Sequence, residues 1–217
     1  MKTCVIIPAY NEAANILNLI REIKKYQLEI LVIDDGSIDN TFNIAKDAGV
    51  QAMLNLDNQG KGASLIKGFK YALENNFDAV ITMDADGQHL AQDLPLFLKE
   101  ANDTNIHIVL GNRMLNVEKM PPLRVMTNKF MSWLISAISK QDIPDTQCGF
   151  RLIKQEVFKN IKLSTSKFET ESELLIKASR KGFKIKSIPI RSIYGRGKSQ
   201  INPFIDTLRF IRFMFRG

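Results

Sequence analysis

Two carboxylates, Asp84 and Asp86, follow the apolar run Ala79-Val80-Ile81-Thr82-Met83 and precede Gly87, Gln88 and His89. Residues i and i+2 of an extended chain point to the same side, so the pair converges where a strand reaches the surface. Like charges that close repel unless positive charge lies between them. A divalent cation with hard oxygen ligands, Mg²⁺ or Mn²⁺, meets that need. Asp-x-Asp also describes a solvated turn, so its place in the chain decides between the two.

That place is set by an alternation of elements. Apolar runs at 3–8, 29–33, 51–55, 77–83 and 106–110 read as strands. Helical spacing separates them: Ile16, Leu17, Leu19, Ile20 and Ile23 after a cap at Asn11, then a helix capped by Asp39 or Asn40 to about Ala48. A third opens at Gly60-Lys61-Gly62 and runs to about Asn75, and a fourth covers Leu90–Asn102. Strands alternating with helices predict right-handed βαβ units: an α/β fold, with a mostly parallel sheet and helices on both faces. Polar groups then gather at the strand ends, at Pro8–Glu12, Asp34–Ser37, Asp84–Gln88 and Gly111–Arg113. Ligands of open α/β sheets bind along that edge. The second half reads as a long helix over Pro121–Lys140, a turn at Pro144–Arg151 leading into a short extended segment, a helix over Phe168–Lys181, and a strand over Phe183–Ile190.

The chain has 217 residues, 45% hydrophobic and 24% charged, enough for one packed domain. Cys4 and Cys148 stand far apart and form no CxxC pair, which suits small core residues in a reducing compartment. Neither a signal peptide nor a run of about 18 apolar residues is expected from the pattern. The net charge of +7 is local: from Arg180 onward there are ten Lys or Arg against the single acid Asp206. Such an excess points to an anionic partner. Few aromatics interleave with the basic residues of 180–198, so no nucleic-acid partner is expected. Gly60-Lys61-Gly62 lacks the full phosphate-loop pattern, and Lys61 reads as a plain helix-start lysine.

Three motifs occur in order: Val5-Ile6-Ile7-Pro8-Ala9-Tyr10-Asn11-Glu12, Val32-Ile33-Asp34-Asp35-Gly36-Ser37, and Asp84-Ala85-Asp86-Gly87-Gln88-His89. Together they resemble the family-2 glycosyltransferases of GT-A fold. Asp145-Thr146-Gln147-Cys148-Gly149-Phe150-Arg151, Phe168-Glu169-Thr170-Glu171-Ser172-Glu173 and Ile188-Pro189-Ile190 narrow the likeness to polyprenyl-phosphate (dolichol-phosphate) mannosyl- and glucosyltransferases. The resemblance spans about residues 3–200 and implies a GT-A catalytic domain over 1–202.

The resemblance also implies roles. Pro8, Tyr10, Glu12 and Asp35 would line the nucleoside of a nucleotide-sugar donor, with Asp84 and Ala85 beside its diphosphate. Asp84, Asp86 and Gln88 would hold Mg²⁺ or Mn²⁺, which stabilises the departing nucleoside diphosphate. Arg113 and Arg124 would take the phosphate of a polyprenyl-phosphate acceptor, since a guanidinium fork matches phosphate oxygens. Asp86, Arg113 and Arg124 are thus the residues expected to act on the transfer itself. Lys198 and Ser199 would close over the donor pyrophosphate. Attack by the acceptor oxygen opposite the leaving diphosphate would invert the anomeric centre. A hydroxyl acceptor, as in cell-wall, capsule or lipopolysaccharide assembly, would need a carboxylate base instead. Asp145, Glu169, Glu171 and Glu173 are the candidates. A nucleotidyltransferase of the same fold is disfavoured, because no Gly-rich basic loop follows Ile7.

Residues 203–217 read as a basic amphipathic helix. Phe204, Phe210, Phe213 and Phe215 share it with Arg209, Arg212 and Arg216. That pairing suits a helix lying in a membrane interface or against a membrane-protein partner. A peripheral enzyme on the cytoplasmic face of the membrane is the expectation. His89 is as consistent with a solvent-facing helix start as with a metal ligand, and Trp133 with its apolar neighbours reads as core by default, with contact to a lipid tail as the alternative.

Overall fold

The computed structural model describes residues 1–118 and 120–193. Lys198, Ser199 and the helix expected over 203–217 lie outside the described residues.

A seven-stranded sheet runs in the order β3-β2-β1-β4-β6-β5-β7. Its strands are β1 (Thr3–Ala9), β2 (Glu29–Asp34), β3 (Gln51–Leu54), β4 (Ala79–Thr82), β5 (Ile108–Asn112), β6 (Arg151–Lys154) and β7 (Ile185–Pro189). Pairing is parallel for β1 with β2 and β4, for β2 with β3, and for β5 with β7. Strand β6 runs antiparallel between β4 and β5. The helices are α1 (Ile16–Lys24), α2 (Thr41–Asp47), α3 (Lys61–Glu74), α4 (Leu94–Glu100), α5 (Pro122–Ser139), α6 (Gln155–Asn160) and α7 (Glu169–Arg180).

Consecutive residues of β1, β2 and β4 are buried, so both faces of the sheet are covered. This is why those strands read as continuous apolar runs rather than as alternation. The chain leaves β1 towards β2 and β3, then returns to β4 on the other side of β1. The carboxyl ends of β1 and β4 therefore flank a topological switch point, where open α/β sheets form their ligand crevice.

Several local expectations shift. Asn11 does not cap α1; it takes a positive φ of 57°, and its side-chain oxygen accepts the Ile38 N–H at 3.0 Å. Its own N–H donates to Ser37 Oγ at 2.9 Å, which staples the β1 and β2 loops together. The segment after His89 opens with a 3-10 turn at Ala91–Asp93 before α4 begins, with Pro95 in its first turn. Strand β5 starts two residues later than its apolar run and carries on through Gly111 and Asn112. Trp133 is 66% exposed rather than core.

Candidate active site

Four strand ends converge on one cavity of about 260 Å³. Pro8 and Ala9 end β1, and Tyr10 and Glu12 follow it; Asp35 follows β2; Asp84, Ala85, Asp86, Gln88 and His89 follow β4; Arg113 follows β5. Arg124 reaches the cavity from the first turn of α5. Within the described part of the chain, every residue expected to bind donor, metal or acceptor phosphate lines this cavity; of the four base candidates only Glu171 does. The sequence reading did not place Asn58, Gln147, Lys167 or Phe168 there, although all four line it.

The wall beside β1 and β2 is acidic and tightly braced. Glu12 donates its N–H to Thr41 Oγ1 at 2.8 Å, and its carboxylate accepts from Asn15 Nδ2 at 2.7 Å. Burial pushes the Glu12 carboxyl up, and the charges of Asp86, Asp39 and Asp84 add to that. Asp35 is buried and accepts from Asn55 Nδ2 at 2.8 Å and from the N–H groups of Gln59 and Gly60 at 3.0 and 2.7 Å. Three of a carboxylate's roughly four acceptor positions are thus used to shape the 55–60 loop. Asp34 faces away from this work: its Oδ1 accepts the Ser37 N–H at 2.7 Å, as a structural partner would.

The carboxylate pair is held by three different elements. Asp84 is ion-paired with Lys61, at the start of α3, and the same ammonium lies 3.0 Å from Glu171 Oε1 on α7. Lys61 is therefore no plain helix-start lysine. The reason lies in its two flanking glycines. Gly60 has φ +100°, and a Cβ there would sit 2.6 Å from the Ser166 carbonyl oxygen. A Cβ on Gly62 would collide with Thr170 Oγ1. Only glycine on both sides lets α3 enter beside the 166–170 segment and carry Lys61 inward.

Burial would raise the Asp84 carboxyl, but the Lys61 ammonium outweighs it and holds the group far below the usual carboxylate range. Asp86 moves the other way, pushed up by burial and by the charge of Asp84, while the Gln88 N–H bond to its Oδ1 at 3.0 Å opposes the shift. His89 is not solvent-facing. It is 4% exposed, lies tilted against Phe150 with the rings 5.4 Å apart, and its Nδ1 accepts the Asp84 N–H at 3.5 Å. Burial lowers its pKa to about 4, so the ring is neutral. The Asp84 carboxylate also packs against bare backbone: a Cβ on Gly149 would sit 2.5 Å from Asp84 Oδ2.

The opposite wall is basic and rigid. Arg113 forks onto Asp145, with Nε to Oδ2 at 2.8 Å and Nη2 to Oδ1 at 2.9 Å. The Arg113 backbone N–H adds a third bond, to Oδ2 at 2.9 Å, and Asn128 Nδ2 of α5 a fourth, to Oδ1 at 2.8 Å. Arg151 is buried and donates to the carbonyl oxygens of Thr146, Cys148 and Glu171, which pins the 145–151 turn to α7.

These partners narrow the four base candidates. Asp145 is committed to Arg113, whose bonds and charge overcome burial and keep it ionised. Glu173 is buried away from the cavity and held by Ser164, Thr165 and Lys177, which bring its pKa down to about 2 against the effect of burial. Glu169 does not line the cavity, and Glu171, which does, is paired with Lys61.

Among the described residues no group of three or more His, Cys, Asp or Glu forms a ready cation cage. Mg²⁺ commonly takes only one or two carboxylates and completes its shell with phosphate oxygens and water. The hard-oxygen pair Asp84 and Asp86 fits that habit, with Gln88 beside it. The described chain ends at this same rim. His89 bridges to Ser192, and the Ile193 N–H donates to the Gln88 carbonyl oxygen at 3.0 Å.

Known proteins share this architecture. Glucosyl-3-phosphoglycerate synthase from Mycobacterium tuberculosis matches with a TM-score of 0.77 at 17% identity, over 99% of this chain and 80% of that one. Its complex with Mn²⁺ and UDP-glucose matches with a TM-score of 0.76 at 18% identity, over 97% and 76% of the two chains. Those likenesses establish the GT-A fold. Among sequence relatives, a UDP-N-acetylglucosamine–dolichyl-phosphate N-acetylglucosaminyltransferase from Methanococcus voltae is 30% identical over 88% of this chain and 85% of its own length. A dolichol-phosphate mannosyltransferase from Pyrococcus furiosus is 32% identical over 93% of this chain, which spans 59% of that protein. The sequence profile of glycosyl transferase family 2 matches residues 4–162. The chain belongs to glycosyl transferase family 2 and is a glycosyltransferase.

Proposed function

We propose that this glycosyltransferase moves a hexose from a UDP- or GDP-sugar to a polyprenyl phosphate, with inversion, at the cytoplasmic face of a membrane. The observation that carries the reading is the polarity of this cavity. Glu12, Asp35, Asp84 and Asp86 stand at the ends of β1, β2 and β4, while Arg113 and Arg124 stand beyond β4 at the end of β5 and on α5.

A nucleoside diphosphate has two parts that such a cavity separates. The Asp35 carboxylate has about one acceptor position left for a ribose hydroxyl. Tyr10 and Pro8 offer flat apolar surface to a base. Asp84, Asp86 and Gln88 would hold Mg²⁺ or Mn²⁺, which when bound supplies positive charge to the leaving diphosphate. Lys61 then has a second anion within reach. Lys198 and Ser199, outside the described residues, are proposed to close over the pyrophosphate, following Ile193 at the cavity rim.

Arg113, fixed by Asp145, and Arg124 orient an acceptor phosphate for attack at the anomeric carbon from the face opposite the diphosphate. A phosphate acceptor arrives already ionised and needs little base catalysis. This suits a site in which each of the four base candidates is committed elsewhere or remote from the cavity. A relative of known acceptor supports the same class, being named for transfer to dolichyl phosphate.

The test is transfer of radiolabel from each nucleotide-sugar to a short polyprenyl phosphate in the presence of Mn²⁺. Label entering the organic phase supports the reading. Label that enters only water-soluble saccharide acceptors refutes it.

A further inference from the structure

Helix α5 is built inside out. Its inward face is rich in polar groups: Asn128, Ser132 and Ser139 are buried beside Met131 and Ile135. Asn128 donates to Asp145, and Ser132 Oγ accepts the Thr146 N–H at 3.0 Å. Its outward face carries Leu123, Met126, Phe130 and Trp133, which are 53%, 63%, 51% and 66% exposed. The spacing of three, four and three residues makes them one stripe along the helix. The Phe130 and Trp133 rings lie 6.2 Å apart within it. Scattered apolar residues on a surface need no explanation, but a continuous stripe with two aromatics does.

The charges around the stripe indicate what covers it. Residues 122–139 hold Arg124 and Lys129 and no acid, and Lys140 follows directly. An apolar stripe on a helix whose own charges are all cations complements a surface that is apolar within and anionic at its rim. An anionic bilayer is such a surface, and tryptophan favours its interface. Among the described residues no helix is long and apolar enough to cross a membrane, so α5 would lie on the bilayer rather than through it. The same helix brings Arg124 to the cavity from its first turn.

We propose that α5 is a membrane-docking helix, whose Leu123, Met126, Phe130 and Trp133 enter the interface of an anionic bilayer and hold the cavity mouth at Arg124 against the headgroups. This surface is separate from residues 203–217. It rests on the polyprenyl-phosphate reading only for its purpose, since such an acceptor must be taken from a bilayer.

Trp133 is the only tryptophan in the chain and reports on its own stripe. The full chain is mixed with phosphatidylglycerol vesicles that contain no polyprenyl phosphate. The expected result is a blue shift of emission, quenching by brominated acyl chains, and a weaker response with phosphatidylcholine alone. The double variant Met126→Ser, Phe130→Ser should lose about tenfold or more in vesicle partitioning. Its thermal shift with nucleotide-sugar and Mn²⁺ should be unchanged, which shows that it is folded. Vesicle binding with Trp133 still open to acrylamide would overturn the proposal, as would wild-type partitioning by the double variant. Burial of Trp133 on concentrating the lipid-free protein would overturn it too, by assigning the face to a second copy. The acceptor reading fails separately: a detergent-dispersed short polyprenyl phosphate left unglycosylated counts against the reaction and leaves the vesicle result standing.

Discussion

Lys61 and Asp84 form an ion pair at the floor of the cavity, in the place where a cation bound to Asp84 would put its own charge. Two positive charges do not share that position comfortably. The ammonium therefore has to give up Asp84, towards Glu171 or a phosphate, when a divalent cation arrives. Replacing it with a neutral side chain should ease binding of the cation alone and weaken binding of the diphosphate. Lys61→Met is expected to bind Mn²⁺ more tightly than wild type in the absence of nucleotide, and nucleotide-sugar less tightly in its presence. Titration calorimetry of both ligands reads this, and unchanged Mn²⁺ affinity would count against it.

Gly149 leaves no room for a side chain beside Asp84. A Cβ at 2.5 Å from Oδ2 must displace the carboxylate, because the Thr82–Arg151 pairing and the Thr82 Oγ1 bond to the Gly149 carbonyl oxygen at 2.7 Å hold the adjoining backbone. Gly149→Ala should keep its fold and lose on the order of 10²-fold in turnover, the scale of a misplacement of about 1 Å. Turnover within threefold of wild type would mean that Asp84 tolerates the shift.

Arg124 and Arg113 line the same wall but differ in what they brace. Arg113 is locked to buried Asp145, so cutting that pair should cost about 3–5 kcal/mol of stability. Arg124 lies in the first turn of α5 and is partly exposed. Arg124→Ala should raise the KM for the acceptor about tenfold or more while the KM for the donor stays within about twofold, as expected for loss of one charge-assisted phosphate contact. Steady-state kinetics with each substrate varied in turn separate the two. A rise confined to the donor KM would move Arg124 to the other substrate.

Glu173 gives the fold a specific acid sensitivity. Its folded pKa lies at about 2 against an ordinary 4.5, because Lys177, Ser164 and Thr165 favour the carboxylate over the effect of burial. A depressed folded pKa stabilises the native state above pH 4.5, and that contribution is lost as pH falls towards 2. The shift corresponds to roughly 3 kcal/mol. Urea denaturation between pH 7 and pH 3 should show a steeper loss in wild type than in Glu173→Gln, which starts less stable. Parallel profiles would remove Glu173 as a source.

Much of this arrangement is legible in the sequence, and the limits have physical causes. The carboxylates at Asp84 and Asp86 are readable because a buried parallel strand must be a continuous apolar run, and its abrupt end marks the rim. Pro8–Glu12 and Asp35 are readable for the same reason. Strand β6 is readable only as a short extended segment after the Pro144–Arg151 turn; its antiparallel insertion between β4 and β5 depends on partners about 70 and 43 residues away, which four residues without periodicity do not encode. Lys61 was visible but misread. Gly60-Lys61-Gly62 reads locally as a helix start, whereas the cause of the two glycines is the close approach of residues 166–170, which no local pattern encodes. His89 was ambiguous because a histidine after Asp-x-Asp-Gly-Gln has the same sequence whether it turns in or out. Trp133 reads as core by default, with lipid contact as the alternative, because an apolar helical stripe looks the same in either place; α5 instead turns Asn128, Ser132 and Ser139 inward and leaves Trp133 exposed.

The central claim is that Asp84 and Asp86 bind a nucleotide-sugar through a divalent cation. Its most direct test is the melting temperature of wild type and Asp86→Asn across a panel of nucleotide-sugars, each with Mn²⁺ and with chelator. A ligand at about a hundred times its Kd stabilises by ~2.7 kcal/mol, or about 5 to 10 °C for a chain of this size. The account predicts that rise for wild type with one UDP- or GDP-sugar and Mn²⁺ together. It predicts little rise with chelator, and little in Asp86→Asn under any condition. An equal rise in the presence of chelator, or in Asp86→Asn, would contradict it.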